Sequence, residues 1–204
     1  MLNRLDENTC VLAFFAIVLF GFELYALKIH SQYRFDSAIM IFTLGFAYLI
    51  RKKIHLHPMH FFLFSTLMVL HNLGVFGFYG KVYLGMEYDF WVHSYFGLVF
   101  SWMLIRAHLF NKIFSTPFMY LMVILLVLGF SAAHEIIEYQ GAKTFGEGEG
   151  FIFFGVGDKD KFDTQKDMQN NLLGGIFGIA LHAGYVNVRK KNYRSFFLAR
   201  QKMF

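Results

Sequence analysis

The chain has 204 residues and a formal charge of +5; 56% of it is hydrophobic and only 16% is charged, where an ordinary soluble domain carries roughly 25% charge. That balance excludes a soluble enzyme, and with 28 Phe, 11 Tyr and only two Pro it also excludes disorder, collagen-like repeats and a loop-rich secreted scaffold. A single Cys excludes an intrachain disulfide and a multi-thiolate metal site. The positive charges are spread along the chain with no basic stripe interleaved with aromatics, so nucleic acid is not an expected partner; they read as loop charges of a membrane protein.

A spanning helix needs about 20 mostly apolar residues, and six runs qualify in chain order. They are Cys10 to Leu27, interrupted by Glu23, the short Ser37 to Ile50, Met59 to Phe78, Asp89 to Ile105, Pro117 to about Glu138, and Asp167 to Val188. Inside lipid the backbone must satisfy its own hydrogen bonds, and continuous apolarity without a period of two selects helices over barrel strands. The expected fold is therefore all-α: a polytopic integral membrane protein with about six transmembrane helices, one domain over 1–204, and a long acidic outer loop at 139–166. The first run follows Arg4 as a signal peptide would. Asp6 and Glu7 dilute the basic region and no small-residue cleavage site follows, so it reads as a retained helix.

Six spans place both termini on one side of the membrane. That side carries twelve of the Lys and Arg residues, among them Arg51, Lys52, Lys53, Arg106, Lys112 and the tail Arg189, Lys190, Lys191 and Arg194; the other side carries seven, including Lys28, Arg34 and Lys81. The positive-inside bias makes both termini cytoplasmic.

Ionisable residues inside spanning helices are costly, and their placement is informative. Glu23, His71, Asp89, His93, His134, Glu135, Glu138, Asp163, Asp167 and Asn171 all fall toward the outer ends of their helices. The pairs Asp89/His93, His134/Glu138 and Asp167/Asn171 are each four apart and share a helix face. Three such faces turned inward would gather carboxylates and imidazoles about one turn below the outer surface, a set able to bind metal, relay protons or hold a headgroup. Single residues also have plainer roles: His71 as an interhelical hydrogen-bond partner, Asp89 and Asp167 as helix caps. Glu135 and Glu138, placed at a helix C-terminus, would oppose the dipole and call for another partner.

Familiar motifs mostly fail. His134-Glu135-Ile136-Ile137-Glu138 begins like a zinc-peptidase helix but has Glu138 where the second His belongs. Asp158-Lys159-Asp160-Lys161-Phe162-Asp163 begins like a calcium loop and lacks its central Gly and final Glu. Gly146 to Gly150 reads as an acidic surface segment, and Gly174, Gly175 and Gly178 read as small-residue helix packing.

Asp89-x-x-x-His93, Glu135-x-x-Glu138 and Asp167-x-x-x-Asn171-x-x-Gly174, in that order, resemble the VanZ-like membrane proteins. The string Asp163-Thr164-Gln165-Lys166-Asp167-Met168 is closer to their YjdF-like branch. The resemblance covers roughly Phe61 to Tyr185 and departs from the VanZ pattern at Glu138, where an amide is usual, and in the long acidic loop. It implies a small helical protein of the bacterial inner membrane, with relatives implicated in glycopeptide resistance, and it supplies no reaction.

The residues themselves support three readings. In the first, Asp89, His93, His134, Glu138, Asp163 and Asp167 hold a divalent metal, zinc or manganese. Glu135, Glu138 and His93 then supply catalysis, and Asn171, Arg34 and His71 bind a lipid or lipid-linked substrate, as in a metal-dependent membrane hydrolase or transferase. In the second, the same groups serve proton-linked transport, or bind a headgroup or drug without chemistry. In the third they are interhelical glue.

Overall fold

The computed structural model describes residues 6–31, 33–107, 115–146 and 161–201, with side chains to residue 188. Arg4, His108, Lys112, Glu147 to Gly150, Asp158 to Asp160 and the side chains of the basic tail lie outside the described residues.

Six helices account for nearly all of the described residues: α1 (Glu7–Lys28), α2 (Asp36–Ile50), α3 (Pro58–Leu73), α4 (Tyr88–Arg106), α5 (Thr116–Phe145) and α6 (Asp163–Gln201). Their starts follow local chemistry. The Asp6 side chain accepts from the Asn8 amide ahead of α1, the His57 ring caps the Met59 amide with Pro58 opening α3, and Pro117 sits in the first turn of α5, where a missing N–H costs nothing. Among the described residues, four helices are long and apolar enough to cross a membrane: α1, α3 with its continuation to Phe78, α5 and α6 through Val188. α2 has 15 residues and rises only about 22 Å at 1.5 Å per residue. The outward surface is apolar, with Ile17, Phe42, Leu49 and Ile176 all exposed, as lipid contact requires. The chain is an all-α membrane protein.

α3 passes through a π-helical turn, Gly74–Phe78, and ends at Gly77, whose φ of +99° stops the helix. A small hairpin then pairs β1 (Val82–Tyr83) with β2 (Met86–Glu87). Its two-residue loop, Leu84-Gly85, has positive φ at both positions, the mirror-type turn whose twist matches paired strands.

The helices form two groups. α1, α2 and α3 pack on one another, α5 and α6 pack on α4, and the groups are joined where α3 meets α4. One apolar core, around Phe15, Leu19, Leu44, Phe61 and Val99, belongs to the first group and its junction; a second, around Ile105, Met119, Val123 and Val127, belongs to the other. Among the described residues no packed interface joins α2 or α3 to α5 or α6.

Two expectations change. α5 runs to Phe145 rather than ending near Glu138, because Tyr139 to Phe145 holds helical geometry after hydropathy has fallen. Glu135 and Glu138 therefore lie in a helix interior, away from the C-terminal dipole that would have opposed them. α6 starts at Asp163, one turn before Asp167, so Asp167 is not a cap. The connection between the two helices is correspondingly shorter than 139–166.

Candidate functional site

The closest helix pair positions the site. A Cβ on Gly97 of α4 would run into the Asn171 carbonyl of α6, and one on Gly174 of α6 would run into the Ser94 carbonyl of α4. Only glycine admits backbones this close, the small-residue packing typical of helices in lipid. With the two backbones in contact at these points, the polar first turns of both helices face each other. His93 Nε2 lies 3.4 Å from Asp89 Oδ1 and 3.5 Å from Asp167 Oδ2. On the far edge of the ring, Asn171 Nδ2 stands 3.2 Å from His93 Nδ1 and 2.6 Å from Ser131 Oγ of α5.

α5 adds the second half of the cluster. His134 Nε2 is 3.4 Å from Glu138 Oε1, and Glu135, only 2% exposed, comes together with Glu138 and Asp167. The first helix group supplies a third part. Asp36, 1% exposed at the start of α2, lies 3.2 Å from His71 Nε2, and the Tyr79 hydroxyl lies 3.1 Å from His71 Nδ1. Tyr79 follows the spanning part of α3. Burial first, and then the carboxylates of Asp89, Glu138 and Asp36, push its phenol well above the ordinary value, so it stays protonated beside the His71 ring. Ser37 donates to Asn72 behind this pair.

Most of these groups line a cavity of about 300 Å³, with Glu135, Asp36, Ser37 and Asn72 outside its lining. Its polar end holds five carboxylates (Glu87, Asp89, Glu138, Asp163 and Asp167) and three imidazoles (His71, His93 and His134), and no Lys or Arg is among the described residues that line it. The His134 ring stands between the others, 6.5 Å from His71 and 6.4 Å from His93. The cavity continues into an apolar arm walled by Phe96, Phe100, Phe130, Met40 and Leu67, where Phe100 and Phe130 meet edge-to-face at 4.8 Å.

Among the described residues, two sets of side chains could hold a cation: Asp89, His93 and Asp167, and Glu135, Glu138 and Asp167, the donor atoms of each set lying within 4.8 Å of one another. Both Glu135 oxygens, Asp167 Oδ1 and Asn171 Oδ1 are buried without a hydrogen-bond partner among the described residues. A buried carboxylate oxygen left without a partner costs several kcal/mol in an apolar interior. The neighbouring His93 and His134 rings, a proton or a bound cation would offset that cost, and the donors are of the hard, oxygen-rich kind that divalent cations take.

Most residues expected at the site meet in this cavity. Asp89, His93, His134, Glu138, Asp163, Asp167, Asn171 and His71 line it, and Glu135 packs beside it. Their arrangement differs from expectation in three respects, and His71 takes the plainer of its two expected roles. His134 and Asp163 belong to neither cation set, while Glu135 does. Asn171 holds the His93 ring and Ser131. His71 is satisfied between helices by Asp36 and Tyr79. Arg34 is not part of the cavity: it is exposed, with its guanidinium 5.1 Å from the Phe35 ring, because the turn carrying it points away from the helix interior. Asp36, Tyr79 and Ser131 were not anticipated. Asp36 stands at the boundary of a short apolar run, where an acid reads as a loop residue; the signal available was its place in the first turn of a helix.

The family model described as predicted membrane protein (DUF2238) matches residues 8–188. No curated protein and no solved structure matches the chain. The matched segment runs from the first turn of α1 to the last described side chain of α6 and contains every residue of the cavity, and on that extent the chain belongs to the DUF2238 family of membrane proteins.

Proposed function

We propose that the chain is a VanZ-like protein of the YjdF-like branch, seated in the bacterial inner membrane with both termini cytoplasmic, and that its polar cavity holds a divalent cation and acts on a lipid or lipid-linked substrate at the outer leaflet. The orientation rests on the Lys/Arg imbalance, twelve against seven. The family reading rests on the ordered Asp89/His93, Glu138 and Asp167/Asn171 residues lining one cavity, with Glu135 beside it and Gly174 closing the α4–α6 contact. One observation carries the cation: buried carboxylate oxygens without partners in a cavity with no Lys or Arg among its described lining.

Asn171 adds to it. Its 2.6 Å separation from Ser131 is the length of an O–H···O bond and short for N–H···O. A half-turn of the amide, which preserves its shape, lets the Ser131 hydroxyl and His93 Nδ1–H both donate to Asn171 oxygen. His93 then turns Nε2 toward Asp89 and Asp167, where it donates as an imidazolium or, as the neutral ring, offers a lone pair to a cation, with its second ring nitrogen held as metal-bound histidines require.

The apolar arm carries the substrate class. Phe96, Phe100 and Phe130 descend from the polar end on the same helices as His93 and His134, so a molecule filling the cavity meets charge at one end and aromatic surface at the other. That is the profile of an amphiphile. α2 and α5, which share no packed interface among the described residues, both wall the arm, through Met40 and Phe130. A proton-transport path is less favoured because the aromatic arm interrupts the run of titratable groups. In the first reading a polarised phosphoryl or ester oxygen would sit on the cation, with Glu138 or Glu135 as base.

Metal analysis of purified protein tests this. A divalent ion that copurifies with the wild type and falls in Glu138→Gln supports it; protein with neither bound metal nor metal-stimulated activity removes it.

A further inference from the structure

We infer that the cavity is built for two divalent cations bridged by Asp167, an inference that rests on the cation reading above and goes beyond it in number and placement. The two donor sets share one residue, Asp167. It sits on α6, the helix that packs against both α4 and α5, and so reaches Asp89 and His93 of α4 and Glu135 and Glu138 of α5. Its two oxygens are in different surroundings. Oδ2 faces His93 at 3.5 Å, and Oδ1 is buried without a hydrogen-bond partner among the described residues. A carboxylate common to two donor sets, with one oxygen still unpartnered, is able to bridge them.

Size agrees. Donor atoms no more than 4.8 Å apart close around an ion whose bonds are about 2.0–2.4 Å long.

The sites differ in donor type. The α4 site offers one imidazole nitrogen and two carboxylates, and the α5 site offers carboxylates alone. Manganese accepts both sets, whereas zinc favours the first and magnesium or calcium the second. Two cations held roughly 3.5–4 Å apart clamp the oxygens of a phosphoryl group between them. The substrate class this assigns is a phosphate ester on a lipid tail, the tail lying in the aromatic arm.

The experiment uses full-length protein in detergent, stripped with a chelator and reloaded with Mn2+, read by metal content per chain and by electron paramagnetic resonance. Two Mn2+ per chain with a spin-coupled spectrum is expected. Glu135→Gln is expected to keep one, uncoupled, on the α4 side; Asp89→Asn to keep one, uncoupled, on the α5 side; Asp167→Asn to abolish coupling. A wild-type chain with one Mn2+, or with two that show no coupling, overturns the bridged pair and leaves the single-cation reading standing; a chain that binds none overturns both. The wild-type stoichiometry decides even where a variant fails to fold.

Discussion

Asp167 Oδ2 lies 3.5 Å from His93 Nε2 across the interface of α4 and α6, at a height set by Gly97 and Gly174, where the two backbones touch. The contact links packing to chemistry: the glycines that let the helices close are also what brings an acid and an imidazole from distant parts of the chain within ligand distance.

Substituting those glycines should therefore cost stability and site together. Gly97→Ala and Gly174→Ala are each expected to lose about 1–3 kcal/mol, the usual cost of overpacking, because a Cβ meets backbone at both positions. Gly129→Ala, where an added methyl meets no neighbouring atom within 4 Å, should be neutral or slightly stabilising. Thermal melts in detergent compare the three.

Asn171→Leu keeps the bulk of the side chain and removes its hold on the His93 ring and Ser131. Loss of such an orienting group typically weakens metal binding about 10- to 100-fold. Titration of stripped protein with Mn2+ should show that weakening while the helical circular dichroism is unchanged.

Tyr79 gives a pH dependence with a definite sign. Its folded value is raised by burial and nearby carboxylates, and an unfolded tyrosine ionises near about pH 10. Below that pH the phenol is protonated in both states and its contribution to stability is whole. Above it the unfolded chain loses a proton that the folded chain keeps, so stability falls as pH rises from about 10 toward the folded value. Tyr79→Phe should flatten this alkaline decline, measured by denaturation at stepped pH, and should cost about 1–3 kcal/mol at neutral pH through the lost bond to His71.

Filling the apolar arm separates substrate from cation. Phe130→Trp adds volume beside Phe100 without touching a carboxylate or imidazole. Metal content should match the wild type, and retention of copurifying lipid, read by mass spectrometry of the extracted protein, should fall several-fold. Equal lipid retention in the two proteins counts against an amphiphile in the arm.

Much of the membrane architecture was legible along the chain. The runs at Cys10, Ser37, Met59, Asp89, Pro117 and Asp167 each became a helix, since backbone in an apolar medium has few other ways to satisfy its polar groups. The end of α5 was not legible, because hydropathy marks where lipid stops and Tyr139 to Phe145 continues as helix beyond it. The hairpin at Val82–Glu87 was also missed; it depends on a two-residue turn that carries Leu at one position of positive φ, where such turns favour Gly or Asn.

The site divides in the same way. Four-residue spacings put Asp89 with His93, His134 with Glu138 and Asp167 with Asn171 before any helix was packed, because the helical repeat alone places such residues on one face. Which faces meet was decided by tertiary structure. Glycine contacts between α4 and α6 brought Asp167 to His93, the position of α5 brought Glu135 into a cation set and left His134 outside, and the start of α2 placed Asp36 under His71 while Arg34 turned outward. Periodicity is local and is written in the order of residues; the meeting of faces depends on how closely backbones approach, and that is settled only when side-chain volumes from separate helices compete for the same space.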